Sequence, residues 1–332
     1  MNKIVVSGIQ PSGTMHIGNY LGAIKNWINL QDKYNCFFFL ADLHTITVAQ
    51  EPEEFRNNIL STAASLIASG LDPKLVTLFA QSSVAEHTEL GWILNCMTPM
   101  GWLERMTQFK DKAGEDKERA SLGLFSYPVL QSADVLLYKA DFVPVGEDQR
   151  QHLELARDIA ASFNRHTKTN YFKLPEAMIL KEASRIMSLR DGTSKMSKSD
   201  PSDYSRINLI DSPDVIVQKI KKAKTDSIAE IFFDKENRPE ISNLLEIYAA
   251  CSDRKIVEIV NMYEGKFTGQ FKADLAEVII EKIGNIGKEI TRLYADDQSY
   301  IKQVLKTGAK KASILAKNNM SEIKELCGFN QF

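Results

Sequence analysis

Two segments of this 332-residue chain combine residue types suited to phosphate. The first is Pro11-Ser12-Gly13-Thr14-Met15-His16-Ile17-Gly18-Asn19, where an apolar run feeds a glycine-containing turn and then a helical pattern. A helix N-terminus offers unpaired N–H groups and partial positive charge to an anion. Gly18 lets a phosphate or a flat ring approach the backbone, and His16 can donate to a phosphate oxygen. The second segment is Lys195-Met196-Ser197-Lys198-Ser199, inside the turn-rich stretch Asp191 to Pro201. Lysine is a compact charge on a flexible stem, suited to a phosphate that moves during a reaction. Each loop alone says only that phosphate is handled.

The elements that must position these loops follow from hydrophobic pattern. Ile4 to Ile9 is a short apolar strand, and Ile17, Leu21, Ile24 and Ile28 recur at helical spacing behind it. Cys36 to Ala41 is a continuous apolar run, as in a strand buried on both faces. Pro52 opens the next helix and Gly70 closes it. Leu75 to Ala80 is a third strand. Helices are predicted over Glu86–Cys96, Trp102–Lys110 and Tyr127–Tyr138. A fourth strand, Phe142–Val145, precedes a helix over Glu147–Phe163. This alternation implies an α/β fold, a Rossmann-like parallel sheet with helices on both faces. In such sheets ligands bind beyond the carboxyl ends of the strands. Gln10 to Asn19, Asp42-Leu43-His44 and Gly146-Glu147-Asp148 follow strands one, two and four. From about Ser205 strand signals nearly vanish, and the pattern is that of an all-helical second domain ending in a long helix from Ser299 to Ala316. The expected division is 1–204, 205–298 and 299–332, with the last helix packing back on the first part.

Composition narrows the classes. At 44% hydrophobic and 25% charged, the chain has the makings of a folded protein of two domains or one with a large insertion. Cys36, Cys96, Cys251 and Cys327 lie far apart with no C-x-x-C pair, against cysteine ligation of zinc and against a disulfide framework. The apolar stretch after Met1-Asn2-Lys3 is too short for a signal sequence, and no run approaches the ~20 residues that span a bilayer. A cytoplasmic protein with no membrane association is expected. A net charge of −2 excludes a uniformly basic nucleic-acid binder, yet Lys181 to Lys224 holds ten basic residues against six acids. That segment suits a polyanion or a solvated helix face equally.

Taken together, the two loops resemble the signature motifs of class I aminoacyl-tRNA synthetases. Ser7 to Gly13, Glu104 to Lys110, Val145 to Gln149 and Arg185 to Leu189 make the chain similar, over nearly its whole length, to the bacterial tryptophanyl-tRNA synthetases. The resemblance implies attack of the tryptophan carboxylate on the α-phosphate of ATP, release of pyrophosphate, and transfer of the aminoacyl group to the 3′ end of tRNA(Trp). It implies a homodimer, with anticodon reading by the helical domain, and Mg²⁺ carried mainly by the ATP phosphates. Lys195 and Lys198 would stabilise the leaving pyrophosphate, with Lys112 as a further cation and His16 as a catalytic donor to the ATP phosphates. Gln10, Pro11, Ser12, Gly18, Asn19, Gly146, Ser197 and Ser199 would contact ATP. Glu147 or Asp148 would take the ribose hydroxyls, and Ile186 and Met196 would frame the adenine. L-Tryptophan would meet Asp134, His44, Tyr127, Gly8, Val6, Val145 and Gln149. A carboxylate inside an apolar helix needs a donor, and an indole N–H, which only donates, makes Asp134 the selecting residue. Two positions depart from the family pattern: Val6, where some relatives carry an aromatic, and Gln131, where many carry methionine. A polar Gln131 beside an indole pocket requires partners of its own. The rival readings are a tyrosyl-tRNA synthetase, a small-molecule adenylyltransferase and a non-catalytic tRNA-binding paralogue.

Overall fold

The computed structural model describes residues 3–106, 121–146, 149–179, 185–296 and 298–329. Five strands form one sheet: β1 (Ile4–Ile9), β2 (Asn35–Leu40), β3 (Thr77–Ala80), β4 (Phe142–Val145) and β5 (Glu176–Ile179). All pairings are parallel and the spatial order is β3-β2-β1-β4-β5. The chain therefore winds outward one way from β1 through β2 and β3, and the other way through β4 and β5. The reversal between β1 and β4 opens a crevice at their carboxyl ends, which is where open α/β sheets bind ligands.

Strand alternation explains why both faces are covered. Val5, Phe38, Leu40 and Leu78 point into one core, with Trp27 stacked on Phe38 at 4.3 Å between ring centroids. Val6, Phe37, Phe39 and Phe79 point into the other. Successive side chains leave opposite faces of a strand, so a run of phenylalanines in β2 is what a doubly buried strand requires. Each such ring contributes roughly 1.5–3 kcal/mol by leaving water.

The first turn behind β1 is a helical stretch in three consecutive pieces: α1 (Ile17–Asn19), a π-helical turn (Tyr20–Ile24) and α2 (Lys25–Leu30). Then follow α3 (Asp42–Thr45), α4 (Pro52–Ala68), α5 (Glu86–Met97), α6 (Met100–Glu104), α7 (Leu122–Leu136) and α8 (Arg150–Thr167). Gly70, at φ 111°, lies just beyond the end of α4. Several boundaries and one strand differ from expectation. The helix expected over Tyr127–Tyr138 spans Leu122–Leu136, started by the Ser121 cap, and the last helix, expected to end at Ala316, continues to Leu326. The helix expected over Trp102–Lys110 begins earlier, after Pro99, and ends at Glu104, while residues 107–110 lie outside the described ones. Within the described residues the helix expected from Glu147 starts at Arg150. β5 was not expected at all: Glu176-Ala177-Met178-Ile179 is too short and mixed to stand out, and its pairing with β4 supplies what its pattern does not.

After a short 3-10 turn at Asp203–Ser205, the described elements are helices: α9 (Pro213–Lys222), α10 (Pro239–Ser252), α11 (Ile256–Met262), α12 (Thr268–Asp296) and α13 (Gln298–Leu326). Leu244, Leu275 and Ile279 from these helices share a continuous core with Val5 and Phe38 of the sheet. The last helix crosses β3 so closely that a Cβ on Gly308 would lie 1.8 Å from the Leu78 carbonyl oxygen. Asn319 on the same helix donates to the Leu137 carbonyl at 2.7 Å.

Candidate active site

The two loops meet. Backbone bonds from Ile17 N–H to the Ile207 carbonyl and from Leu209 N–H to the Met15 carbonyl, both 2.8 Å, lay the segment after the lysine loop alongside His16. Lys198 Nζ donates to the Gln10 carbonyl at 3.3 Å. The lysine loop itself is the return arm of a small hairpin: Met196 N–H bonds the Ile186 carbonyl, and Ser188 N–H the Ser194 carbonyl. Asp191 closes its turn by accepting from the Thr193 backbone and from the Thr193 and Ser194 hydroxyls. Asn243, on α10, grips Met187 with both ends of its amide, accepting from the backbone N–H and donating to the carbonyl.

Between the loops and the ends of β1 and β4 lies a cavity of about 870 Å³. Its phosphate-suited end carries Gln10, Ser12, His16, Asn19, Lys195, Met196, Ser197, Lys198 and Ser199. Its other end carries Val6, Gly8, His44, Tyr127, Asp134, Val145 and Gln149. Pro11, Gly18, Gly146 and Ile186 do not line it. Pro11 and Ile186 are buried, and Gly146 is exposed. Lys112, Glu147 and Asp148 lie outside the described residues.

Gly18 has a packing duty. A Cβ there would come within 3.0 Å of the His16 ring, so the glycine makes room for the imidazole to fold over the helix start. Asn19 accepts from the His16 backbone N–H at 3.1 Å and locks the turn. Burial, followed by the nearby charges of Lys198, Arg206 and Lys195, depresses the His16 pKa to about 3. The ring is neutral near pH 7 and can hold a hydrogen bond without serving as a ready acid. Its Nδ1 is buried with no hydrogen-bond partner in the protein, which suits a ligand oxygen. Burial likewise lowers Lys198 to about 8, still mostly charged at neutral pH.

The opposite end is built differently. Asp134 is 1% exposed, yet its carboxylate accepts three bonds: from Gln81 Nε2 and His87 Nδ1 on Oδ1, both 2.6 Å, and from His44 Nε2 on Oδ2 at 2.7 Å. Burial alone would raise its pKa, but His44 and His87 hold it down to about 2. The acid is therefore a fixed anion. His44 is presented by α3, whose Asp42 accepts from the Ser82 backbone at 2.9 Å and from the Ser82 hydroxyl. His44 meets the Tyr127 ring edge-on at 6.2 Å. Gly8 is required by packing: a Cβ there would fall 2.5 Å from the Phe39 ring. Gln131 also lines the cavity, and its amide donates to Gln149 Oε1 at 3.2 Å, the partner its polarity requires.

Sequence reasoning missed Phe39, Ala23 and Val143 in the lining, and Gln81, His87 and Tyr138 behind Asp134. Gln81 was within reach, because it directly follows β3 and the carboxyl-end rule applied to strands one, two and four extends to it. His87 carries no local signal.

A parallel sheet of this order, with a glycine-containing loop and a lysine loop joined beside its switch point, places the chain in the class of open α/β proteins whose ligand crevice lies at the carboxyl ends of the strands. The family described as tRNA synthetases class I (W and Y) matches residues 2–283, and the chain belongs to that family. It is 56% identical to a tryptophan--tRNA ligase of Rickettsia conorii over 99% of both chains, and 50% identical to one of Caulobacter vibrioides over 98% of this chain and 95% of that one. Its structure is similar to tryptophanyl-tRNA synthetase from Mycoplasma pneumoniae (TM-score 0.90, 34% identity, 99% of each chain). It is also similar to the Campylobacter jejuni enzyme complexed with ADP and tryptophan (TM-score 0.83, 38% identity, 98% of this chain and 100% of that one).

Proposed function

We propose that this chain is a tryptophan–tRNA ligase, which activates L-tryptophan with ATP and transfers it to the 3′ end of tRNA(Trp). The observation that carries the reading is that one cavity joins a fixed buried anion, Asp134, to a cluster of cations and donors, His16, Lys195 and Lys198. The family likeness agrees with it.

The chemistry follows from that arrangement. Asp134 accepts the indole N–H, with His44, Tyr127, Val6, Gly8, Val145 and Gln149 around the amino acid. The substrate carboxylate titrates far below neutral pH, so it is already ionised and needs no general base. What the step needs is in-line positioning and positive charge where pyrophosphate leaves. Lys195 and Lys198 supply that charge, and neutral His16 donates a hydrogen bond. Gln10, Ser12, Asn19, Met196, Ser197 and Ser199 hold the nucleotide. Mg²⁺ would be held mainly by the ATP phosphates, because the described groups at that end include lysines and hydroxyls and no set of carboxylates.

We assign residues 205–298 to tRNA anticodon contact, residues 1–204 to activation, and the last helix to bracing the sheet, supported by its close seat on β3. The protein works in the cytoplasm as a homodimer. Support for the dimer comes from Trp92 (72% exposed) and Met100, large apolar side chains left open on α5 and α6.

Pyrophosphate–ATP exchange, run with each amino acid in turn, tests the reading. Exchange is expected with tryptophan alone. Exchange driven by tyrosine, or by no amino acid, overturns it.

A further inference from the structure

The bonds on Asp134 are unequally shared between its oxygens. A carboxylate offers about four acceptor positions, two on each oxygen. Oδ1 takes both Gln81 and His87, while Oδ2 takes only His44. The carboxylate only accepts, so the facing nitrogens of His87 and His44 must carry hydrogens. His87 in its neutral form then has a bare Nε2, and Tyr138 supplies it with an O–H at 2.8 Å. Tyr138 thus fixes the tautomer that points a hydrogen at Asp134.

These supports are fully sequestered. Gln81, His87 and Tyr138 are each 0% exposed and none of them lines the cavity. The His87 ring is wedged among Phe39, Phe79 and Tyr138, with centroids 5.4 to 5.9 Å away. Tyr138 is stacked in turn on Phe37 at 4.7 Å.

Resting on the tryptophan reading of Asp134, we propose that Gln81, His87 and Tyr138 are positioning residues for amino-acid selection. They saturate Oδ1 and pin the carboxylate, so that one acceptor direction, on Oδ2 beside His44, is left for the indole N–H. A carboxylate free to rotate would accept from water or from its own neighbours. One held by three donors keeps a single site in a single direction, and a site built to bond a donor rejects analogues lacking it.

The test compares tryptophan with β-(benzothiophen-3-yl)alanine, which has nearly the same shape but no ring N–H. Pyrophosphate–ATP exchange gives kcat/KM for each. The unaltered enzyme should prefer tryptophan by about 10³-fold or more. Gln81→Met and His87→Leu should lower kcat/KM for tryptophan by about 10–100-fold and leave the analogue's value unchanged. His87→Asn, which keeps a donor near Nδ1, should restore most of the preference. Tyr138→Phe, which loses only the hydroxyl, should cost about 3–10-fold for tryptophan alone. Equal losses for both substrates, or an unchanged preference in soluble Gln81→Met and Tyr138→Phe enzymes, overturns the proposal. Those two variants keep the side-chain volume, so the test does not depend on His87→Leu folding. Asp134→Ala serves as the reference. If it too leaves the preference intact, the reading of Asp134 itself fails. If it abolishes the preference while the three support variants keep it, only the positioning role fails.

Discussion

The two ends of the cavity use charge in opposite ways. Asp134 is buried and held by three short bonds, two of them from histidines. Lys195 and Ser199 are exposed, and Lys198 is half-buried with a single long bond to a carbonyl. The Asp134 end has its hydrogen bonds made before any ligand arrives; on the proposed reading this is what refuses a misfitting amino-acid side chain. The lysine end leaves Lys195 open to solvent, and on the same reading its long side chains serve a phosphate whose charge shifts as a bond breaks. Selection is thus proposed for the bonded end and charge stabilisation for the open end of one crevice.

The contrast can be broken at either end. Asp134→Ala should lose the most, about 10⁴-fold in kcat/KM for tryptophan, while ATP still binds. Exchange kinetics alongside nucleotide titration would measure both, and an unchanged tryptophan value would refute the role. Lys195→Ala should lower the rate of adenylate formation by about 10²–10³-fold, chiefly through kcat. A change confined to KM would mean that the lysine serves binding alone.

A third measurement is pH. With its pKa lowered to about 8, Lys198 is charged below that value and loses its charge above it. The kcat/KM for ATP should therefore hold steady up to about pH 8 and then fall about tenfold per unit. Lys198→Arg should move that limb out of range, since guanidinium does not deprotonate. A limb that stays put assigns the titration to another group.

The smallest effect concerns His16. Its folded-state pKa of about 3 lies below the ordinary 6.5. The unfolded chain binds the proton first, so stability is intact above 6.5 and is lost as pH falls from there toward 3. His16→Gln should remove a penalty of about 2 kcal/mol at about pH 5 and change little at about pH 7. Urea unfolding at the two values checks it, and identical slopes for both proteins would show that His16 is not buried neutral.

Much of this was legible in the chain. The apolar runs at Ile4 and Cys36 announced strands, because a strand covered on both faces has no polar residues to spare. The two loops stood out through residue type and spacing alone, and they do meet at one cavity; Asp134 stood out as an acid among apolar neighbours. β5 was not legible, since four mixed residues become a strand only when β4 lies beside them.

What the sequence determined by itself, then, was the local inventory: which segments are strands or helices, which loops carry cations, and which acid is misplaced unless it meets a donor. Those depend on residues close along the chain. The tertiary structure alone decided that Lys198 meets the Gln10 carbonyl, 188 positions away along the chain. It also decided that Gly18 yields space to His16, that Gln131 finds Gln149, and that Gln81, His87 and Tyr138 gather behind Asp134. Hydrogen-bond saturation of a buried carboxylate depends on donors from three separate helical or turn segments, and no pattern along the chain records which of them will face it.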